Sequence, residues 1–434
     1  MDRSAAVKAI PMAGKTIAVL ATLDTKGREA DFLRTCIQDF GDRALLIDTG
    51  VVGSPQANAD FTRDEVAKAG GADLPSLLRN PSRSVAAPIM AEGATSLLLG
   101  LVRTGRVHGV LSIGGTQGTT LSTRAMRALP YGFPKVMLST MASGNVAPWV
   151  DIKDITMIFS VADILGLNRF SRRMLSNAAA AVCGMAELST ENLRGEHPLV
   201  AVTTVGITTR AAMNAVRIIE EAGYETIVFH AIGPGGRAME QMMKEGIIGA
   251  VLDLATIEVS NEMFHAMLAG GPERLTVAGD LGLPQVICPG AIEVLVFGEP
   301  STVPDPYRDR TLIRHSPQIT DVRLNAEEMA AVGREVAARL SHTRTDAVFL
   351  VPHGGFDSYA VAGQGFHDPA ADEAFVDALK RDLPRNIRLV ERDTYIEDEA
   401  FSAEAAQMLL AMLGDSDHPT RTETWQRAIR GTTS

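Results

Sequence analysis

The stretch from Val107 to Met126 constrains the fold of this chain more than any other. Val110, Leu111 and Ile113 form a short apolar run that predicts a buried strand, and a helical pattern begins soon after it. Between the two lies the turn Gly114-Gly115-Thr116-Gln117-Gly118-Thr119. A strand, a glycine-rich turn and a helix together direct backbone N–H groups toward an anion. The pattern is equally typical of an ordinary tight strand-to-helix turn, so both interpretations stay open here.

Alternating strand and helix patterns run on both sides of a polar segment, Glu187–His197, which we interpret as a linker. At 434 residues the chain exceeds the length at which one hydrophobic core usually stops growing. Alternation with short loops favours parallel sheets with right-handed crossovers. We therefore predict two doubly wound α/β domains, residues 1–190 and 198–434, followed after Leu413 by a polar tail.

Composition restricts the classes of function. The net charge of −11 argues against a nucleic-acid surface, which needs a basic stripe. Three separated cysteines in apolar surroundings, Cys36, Cys183 and Cys288, indicate buried reduced thiols. We find neither a secretory signal nor an apolar run approaching the roughly 18–20 residues of a membrane span. These features predict a soluble cytoplasmic protein without a membrane or nucleic-acid partner.

Three segments of the first half are predicted to lie at strand ends, where open α/β sheets bind ligands. Asp24-Thr25-Lys26-Gly27 follows the predicted strand Lys15–Leu23, with Lys26 suited to a phosphate and Asp24 to a metal or a hydroxyl. Asp48 ends the next strand, where an acidic residue often holds a ribose hydroxyl. Ser143-Gly144 belongs to a small-residue loop after another strand. Helix capping and turn chemistry explain the same residues without a ligand.

The second half contains a formal G-x-G-x-x-A motif at Gly233–Ala238, between a predicted strand and a helix. Asp253 follows at the spacing of roughly 20 residues that a dinucleotide fingerprint requires. However, the motif follows the second strand of its domain, and Pro234 lacks an N–H donor. We therefore favour an anion-binding or substrate-facing loop at Gly235, Gly236 and Arg237 over a dinucleotide site.

Several later strand ends carry titratable side chains. We predict that His230, Glu258, His353 and Asp357 converge at one sheet edge as a general acid–base set. A metal site is the alternative, but no metal-ligand spacing supports it, and each residue alone is also typical of a loop hydrogen-bonding group. The basic segment Pro300–Pro317, which includes His315, is predicted to be irregular, either covering a cleft and contacting an anion or serving as a solvated connector.

A series of segments in order resembles one known family over nearly the whole chain. It is the family of the ATP-binding domain at the N-terminus of the tomato mosaic virus resistance protein, whose bacterial stand-alone members are largely uncharacterised. The segments are TLDTKG (Thr22–Gly27), SIGGTQGT (Ser112–Thr119), KDITM (Lys153–Met157), SVADILGLN (Ser160–Asn168), VTTVGITT (Val202–Thr209), FHAIGPGGRAME (Phe229–Glu240), LDLATIEV (Leu252–Val259), PQVICPGAIEVLVFG (Pro284–Gly298) and HSPQIT (His315–Thr320).

The resemblance implies two Rossmann-like α/β domains, a homodimer, and ATP held by strand-end loops of the N-terminal domain. Carried over to matching positions, it favours Asp24–Gly27 and Gly114–Thr119 as nucleotide contacts. Asp48, Ser143 and Gly144 are inferred from predicted geometry alone. Mg²⁺ ordinarily accompanies ATP, although the sequence itself does not indicate a metal.

Two classes of function follow from these expectations. We favour an ATP-dependent transferase, ligase or hydrolase acting on a small anionic metabolite at an interdomain cleft, because many polar groups are predicted at strand ends of the second domain. The alternative is a nucleotide-regulated protein-interaction module without catalysis. A NAD-dependent enzyme using the Gly233 loop ranks last.

Overall fold

The computed structural model describes residues 14–79, 83–188 and 198–414. Contacts divide the chain into two units, Met1–Glu191 and Asn192–Ser434, which we call the first and second domains. Residues 189–197 of the predicted linker and the predicted tail from residue 415 lie outside the described residues.

The first domain is a parallel five-stranded sheet with helices on both faces. Its strands are β1 (Thr16–Ala21), β2 (Arg43–Asp48), β3 (Gly109–Gly114), β4 (Lys135–Ser139) and β5 (Thr156–Phe159). Its helices are α1 (Leu23–Asp39), α2 (Arg63–Ala69), α3 (Leu74–Arg79), α4 (Arg83–Arg103), α5 (Thr116–Arg127), α6 (Ala147–Val150) and α7 (Arg169–Leu188). The strand order is β2-β1-β3-β4-β5. Because the central strands are covered on both faces, they are continuous apolar runs rather than alternating ones.

One expectation for the first domain is wrong, namely that no apolar run approaches the length of a membrane span. Within α4, residues Val85–Arg103 have a mean hydropathy of 1.7 and are long and apolar enough to cross a membrane. Met90, Ala94 and Leu98 of this helix are fully buried in the core over the sheet, at the i, i+4 spacing of a helix face. The apolar length of α4 therefore has an explanation in packing.

The second domain is a parallel six-stranded sheet covered by helices on both faces. Its strands are β6 (Leu199–Thr204), β7 (Thr226–His230), β8 (Ile248–Ala255), β9 (Gln285–Gly290), β13 (Ala347–Pro352) and β14 (Ile387–Arg392). Its helices are α8 (Thr209–Glu221), α9 (Pro234–Lys244), α10 (Ile257–Met263), α11 (Val277–Leu281), α12 (Ala326–Leu340), α13 (Pro369–Asp382) and α14 (Glu399–Gly414). The order β7-β6-β8-β9-β13-β14 repeats the first domain's topology with one strand added. Both domains thus have the predicted doubly wound, Rossmann-like α/β fold.

A small antiparallel sheet also belongs to the second domain and was not predicted. It consists of β10 (Val294–Phe297), β11 (Leu312–Ser316) and β12 (Ile319–Arg323), in the order β10-β12-β11. The segment Pro300–Pro317 is therefore not wholly irregular, since it contains β11 as well as two short 3₁₀ turns. Arginines and prolines obscure the strand pattern in this segment, because β11 is an edge strand with little buried surface.

Candidate functional site

The carboxyl edge of the first sheet has the geometry of a ligand site. Strands β1 and β3 are neighbours in the sheet although β2 lies between them in the chain. Helix α1 begins just after β1, and α5 just after β3. In doubly wound sheets of this strand order, ligands bind where the connections diverge, outside the carboxyl ends of these two strands.

The turn after β3 contains one glycine that internal packing does not require. A Cβ at Gly114 would lie 2.8 Å from the Cα of Gly118, so Gly114 is needed for close packing of the turn on the helix. At Gly115, with φ −82°, a Cβ would meet only the Thr140 Oγ1 atom, at 3.7 Å. Gly115 is the N-cap of α5 and supplies no side-chain cap, while Thr116 is exposed. Among the residues that the structure describes, no side chain caps the first N–H groups of α5.

The turns after β3 and β4 are joined by hydrogen bonds. Thr119 is buried, and its Oγ1 atom lies 2.6 Å from Ser139 Oγ and 2.8 Å from the Gly115 carbonyl oxygen. Ser139 Oγ accepts the N–H of Met141 at 2.9 Å. The hydroxyl of Thr119 is thus committed to this internal network. Ser143 and Gly144, farther along the same turn, are exposed.

The segment Asp24–Gly27 forms the start of α1, with a kink at Lys26, whose φ of −127° is not helical, rather than a loop after β1. Asp24 is buried, and its Oδ2 atom accepts the N–H groups of Val52 at 2.8 Å and Gly53 at 3.0 Å. The Asp24 side chain, which we expected to bind a metal or a hydroxyl, therefore binds an internal loop instead. A Cβ at Gly27 would lie 2.8 Å from the Cβ of Gln56, so this glycine is required by packing.

The other polar groups of this region also have internal partners. Lys26 Nζ donates to the carbonyl oxygen of Ile164, and Thr25 Oγ1 lies 2.8 Å from Thr22 Oγ1. Asp48 Oδ1 accepts the N–H groups of Leu23 at 3.0 Å and Gly50 at 2.9 Å. Burial raises the pKa of Asp48. Asp48 is buried, stabilises the start of α1 and is not available to bind a ribose. Thr25, by contrast, is exposed at the same edge of the sheet.

The four predicted acid–base residues of the second domain do not converge. His230 ends the edge strand β7, whereas His353 follows β13, four strand positions away. At about 4.8 Å per strand, this separation is roughly 19 Å. His353 Nε2 instead lies 2.8 Å from Glu391 Oε2, on the neighbouring strand β14. The expectation of a single acid–base set is therefore wrong.

Glu258 belongs to a buried ion-pair network that the sequence did not reveal. Arg274 is fully buried, and its Nε atom donates to Glu258 Oε2 at 2.6 Å. Its Nη2 atom donates to Asp253 Oδ1 at 2.6 Å, and Nη1 lies 3.6 Å from Glu240 Oε1. Burial raises the pKa of Glu258, while Arg274 opposes that shift. Both Glu258 and Asp253 are buried and therefore inaccessible to a substrate. Asp253 cannot bind a ribose, as the dinucleotide hypothesis requires.

The glycine turn after β7 is filled by the same carboxylate. Glu258 Oε1 accepts the N–H groups of Gly233 at 2.6 Å and Gly236 at 3.0 Å. A Cβ at Gly236 would overlap Glu258 Oε2, and one at Gly235 would overlap the carbonyl oxygen of His230. Gly235 and Gly236 are therefore required by packing, and the N–H of Gly236 is already donated to Glu258. Arg237 is exposed at the start of α9.

Asp357 is paired with a second buried carboxyl, Glu293, rather than with a histidine. Both side chains are fully buried, and they follow the neighbouring strands β13 and β9. Asp357 Oδ1 accepts the N–H groups of Tyr359 and Ala360, but Asp357 Oδ2 and both oxygens of Glu293 have no donor among the described residues. Burial raises the pKa of Asp357 to about 7, and that of Glu293 well above its usual value.

The described cavity and the search for metal ligands do not identify a further site. A groove of about 520 Å³ lies between α8 and β7 and is lined mainly by apolar side chains such as Met213, Val216 and Val228. It contains none of the predicted site residues. Within residues 14–79, 83–188 and 198–414, no three His, Cys, Asp or Glu side chains lie close enough to hold a metal ion. ATP-bound Mg²⁺ needs only one or two protein ligands, so this finding does not bear on it.

Sequence comparisons give relatives in bacteria and in a plant. The chain is 38% identical to a UPF0261 protein of Clostridium tetani, over 92% of this chain and 99% of that protein. It is 38% identical to a UPF0261 protein of Rhizobium meliloti, over 90% and 97% of the two chains. The ToMV susceptible protein tm-1(GCR26) of Solanum lycopersicum is 33% identical, over 74% of this chain and 44% of the plant protein.

Among solved structures, UDP-GlcNAc 2-epimerase from Neisseria meningitidis matches with 10% identity, 63% coverage of this chain, 82% coverage of that chain and a TM-score of 0.20. That score is too low to support an argument. Family models are decisive instead, since the N-terminal domain of the uncharacterised protein family UPF0261 matches residues 15–191 and its C-terminal domain matches residues 197–413. The predicted resemblance is thereby confirmed, and the chain belongs to the UPF0261 family.

Proposed function

We propose that the first domain binds ATP at the carboxyl edge of its sheet, across the N-termini of α1 and α5. The observation that carries the proposal is Gly115, a glycine without an internal packing reason at an uncapped helix N-terminus. Phosphate groups bind where N–H groups converge without a Cβ in the way. Thr116 and the loop of Ser143 and Gly144 border the same edge and are exposed.

Calorimetric titration of the purified protein with ATP and ADP, with and without Mg²⁺, tests this proposal. We expect Gly115→Val to weaken ATP binding at least 10-fold while its melting temperature stays close to that of the wild type. Gly184→Val is the matched control, because Gly184 is exposed in α7 and a Cβ there meets nothing within 4 Å. Absence of ATP binding to the wild type, or equal binding by Gly115→Val, would refute the proposal.

We also propose that the protein is an ATP-dependent transferase, ligase or hydrolase whose second substrate is a small anionic metabolite. This part is supported by titratable side chains at the carboxyl edge of the second sheet, including the buried pair Glu293 and Asp357. Carboxyl groups with strongly shifted pKa values are concentrated at functional sites. The homodimer implied by the family resemblance stays a prediction, which sedimentation equilibrium measures.

A nucleotide-regulated interaction module is the second candidate. The loop after β5 exposes Val161 and Leu165, and Phe170 beside it is 46% exposed. This loop is tied to α1, because Glu29 Oε1 accepts the N–H of Gly166 at 2.5 Å. ATP at the start of α1 would therefore adjoin an apolar surface. Release of inorganic phosphate from ATP supports the enzyme, whereas bound ATP without turnover supports the module.

A further inference from the structure

His315 is placed by an irregularity in the small antiparallel sheet. Strand β11 pairs with β12 through Arg314 and Ser316, but the register shifts between these two residues, and His315 has no paired residue. Bulges of this kind redirect a side chain and are frequent beside functional sites. The His315 side chain is 47% exposed. It also belongs to the segment HSPQIT, to which neither the ATP proposal nor the predicted acid–base set assigns a role.

The ring of His315 is held through one nitrogen. Its Nδ1 atom lies 3.0 Å from the hydroxyl of Tyr359 and 3.9 Å from Oδ2 of Asp321. Burial and the nearby carboxyls of Asp321 and Asp357 raise the pKa of Tyr359, so its hydroxyl keeps its proton and is able to donate to Nδ1. An imidazole that accepts at Nδ1 carries its hydrogen on Nε2. Nε2 has no partner among the described residues.

Asp321 adds a charge behind the ring. It lies in the middle of β12 and is buried, with His315 as its single ion-pair neighbour in the part of the chain that the structure describes. Burial raises the pKa of Asp321 to about 6, and His315 opposes the shift. Near neutral pH the carboxylate is therefore mainly ionised, which places a negative charge 3.9 Å from Nδ1 of the ring.

Tyr359 is itself fixed by neighbouring loops of the second domain. Asp357 Oδ1 accepts its N–H at 2.6 Å, and the N–H of Ser358 donates to the carbonyl oxygen of Ile207 at 3.2 Å. Ile207 belongs to the 3₁₀ turn after β6, whose exposed first residue, Gly206, would accept a Cβ without meeting any atom within 4 Å. The His315 ring is thus pre-organised at the carboxyl edge of the second sheet, next to an open backbone turn.

We propose that Tyr359 donates to Nδ1 of His315, and that the resulting Nε2–H group binds an oxyanion, either a carboxylate or a phosphate group of a small metabolite. This inference rests on the proposed function for the anionic class of substrate, and it assigns that substrate to residues outside the predicted set. In this arrangement Asp357, predicted as an acid–base residue, is a positioning residue for Tyr359.

Histidine NMR on the full-length protein tests the site without nucleotide. The chain has nine histidines, so protein labelled at histidine Cε1 gives few signals, and His315→Gln identifies the signal of interest. Inorganic phosphate and acetate are the two probes, titrated separately. We expect the His315 signal to shift saturably with at least one of them. The probe that binds with the higher affinity identifies the ligand group as a phosphate or a carboxylate. Tyr359→Phe should weaken binding about 10-fold, because the ring loses the donor that fixes its Nε2–H tautomer.

His342 is the matched internal control. Its side chain is 49% exposed and its Nδ1 atom lies 3.1 Å from Asp280 Oδ2, but no tyrosine holds it among the described residues. Equal, unsaturable shifts of His315 and His342 would overturn the proposal, as would an unchanged affinity in Tyr359→Phe. Because the titration contains no ATP, its failure is separate from failure of the nucleotide proposal, which the Gly115 variant tests alone.

Discussion

Two glycine-rich turns of this protein follow a parallel strand and open a helix, yet their backbone donors have different partners. In the turn after β3, the start of α5 has no side-chain cap, and Gly115 leaves room for an approaching group. In the turn after β7, Glu258 Oε1 accepts the N–H groups of Gly233 and Gly236, and the carboxylate fills the space beside the glycines.

The second turn therefore binds an anion, and that anion comes from its own chain. A carboxylate at the N-terminus of α9 satisfies the same donors that a phosphate would satisfy. Arg274 supplies the positive charge that makes burial of Glu258 tolerable. Glycines at the start of a helix therefore indicate that another group comes close to the backbone there. Whether that group is a ligand or a side chain depends on residues far away in the sequence, as Glu258 is here.

The largest effect is expected from removing the positive charge of Arg274, which pairs with Glu258 in the turn after β7. We call this turn, Gly233–Gly236, the filled turn. Arg274→Ala leaves the buried carboxyls of Asp253, Glu258 and Glu240 without their cation, so we expect a loss of about 3–5 kcal/mol in the unfolding free energy of the second domain. Urea denaturation measures it. Arg344→Ala is the control, because that exposed arginine pairs with Asp280 at the surface and should cost under about 0.5 kcal/mol. Equal losses in both variants would contradict the role of the network.

Buried acids should also make the second domain sensitive to pH. The folded-state pKa of Asp357 is raised from 3.8 to about 7, so the folded form holds a proton that the unfolded chain releases. Its contribution to stability is present below about pH 4 and is lost as the pH rises through 7.

Asp357→Asn tests this pH dependence while keeping the acceptor for Tyr359 and Ala360. We expect the variant to match the wild type at pH 4 and to be more stable at pH 8, by up to about 4 kcal/mol for a shift of this size. Melting temperatures across this range measure the effect. Asp305→Asn, at an exposed position, should leave the profile unchanged. A variant no more stable than the wild type at pH 8 would show that Asp357 is not a buried, protonated carboxyl.

A Cβ in the filled turn should be costly even though alanine favours helices. In Gly236→Ala the new methyl group overlaps Oε2 of Glu258, and Arg274 Nε lies 2.8 Å from the same position. We expect a loss of about 2 kcal/mol, typical of overpacking a close-packed site, measured by urea denaturation. Gly223, whose Cβ position is open but whose φ is +91°, is unsuitable as a control, so Gly184→Ala in α7 serves instead. An unaltered stability in Gly236→Ala would mean that the turn is not filled as described.

The sequence predicted the two α/β domains because alternating apolar runs and amphipathic segments carry that information locally. It failed where a partner lies far along the chain. Nothing near Gly233 indicates that Glu258 fills the turn, and nothing near Glu258 indicates Arg274. The acid–base set failed because strand order, not sequence order, determines that His230 and His353 lie near opposite edges of the sheet. His315 lies in HSPQIT, one of the segments on which the family resemblance was based.

The smallest effect on stability is expected at Gly115, in the turn after β3. Gly115 has a φ of −82°, which any residue adopts, and a Cβ there reaches Thr140 Oγ1 at an ordinary contact distance of 3.7 Å. Gly115→Ala should cost less than about 1 kcal/mol, because alanine is a weaker N-cap than glycine. Gly115→Ser restores a capping hydroxyl and should be neutral or slightly stabilising. If urea denaturation instead gave Gly115→Ala the loss expected of Gly236→Ala, the space at Gly115 would be needed by the protein itself, and the argument for a ligand there would fail.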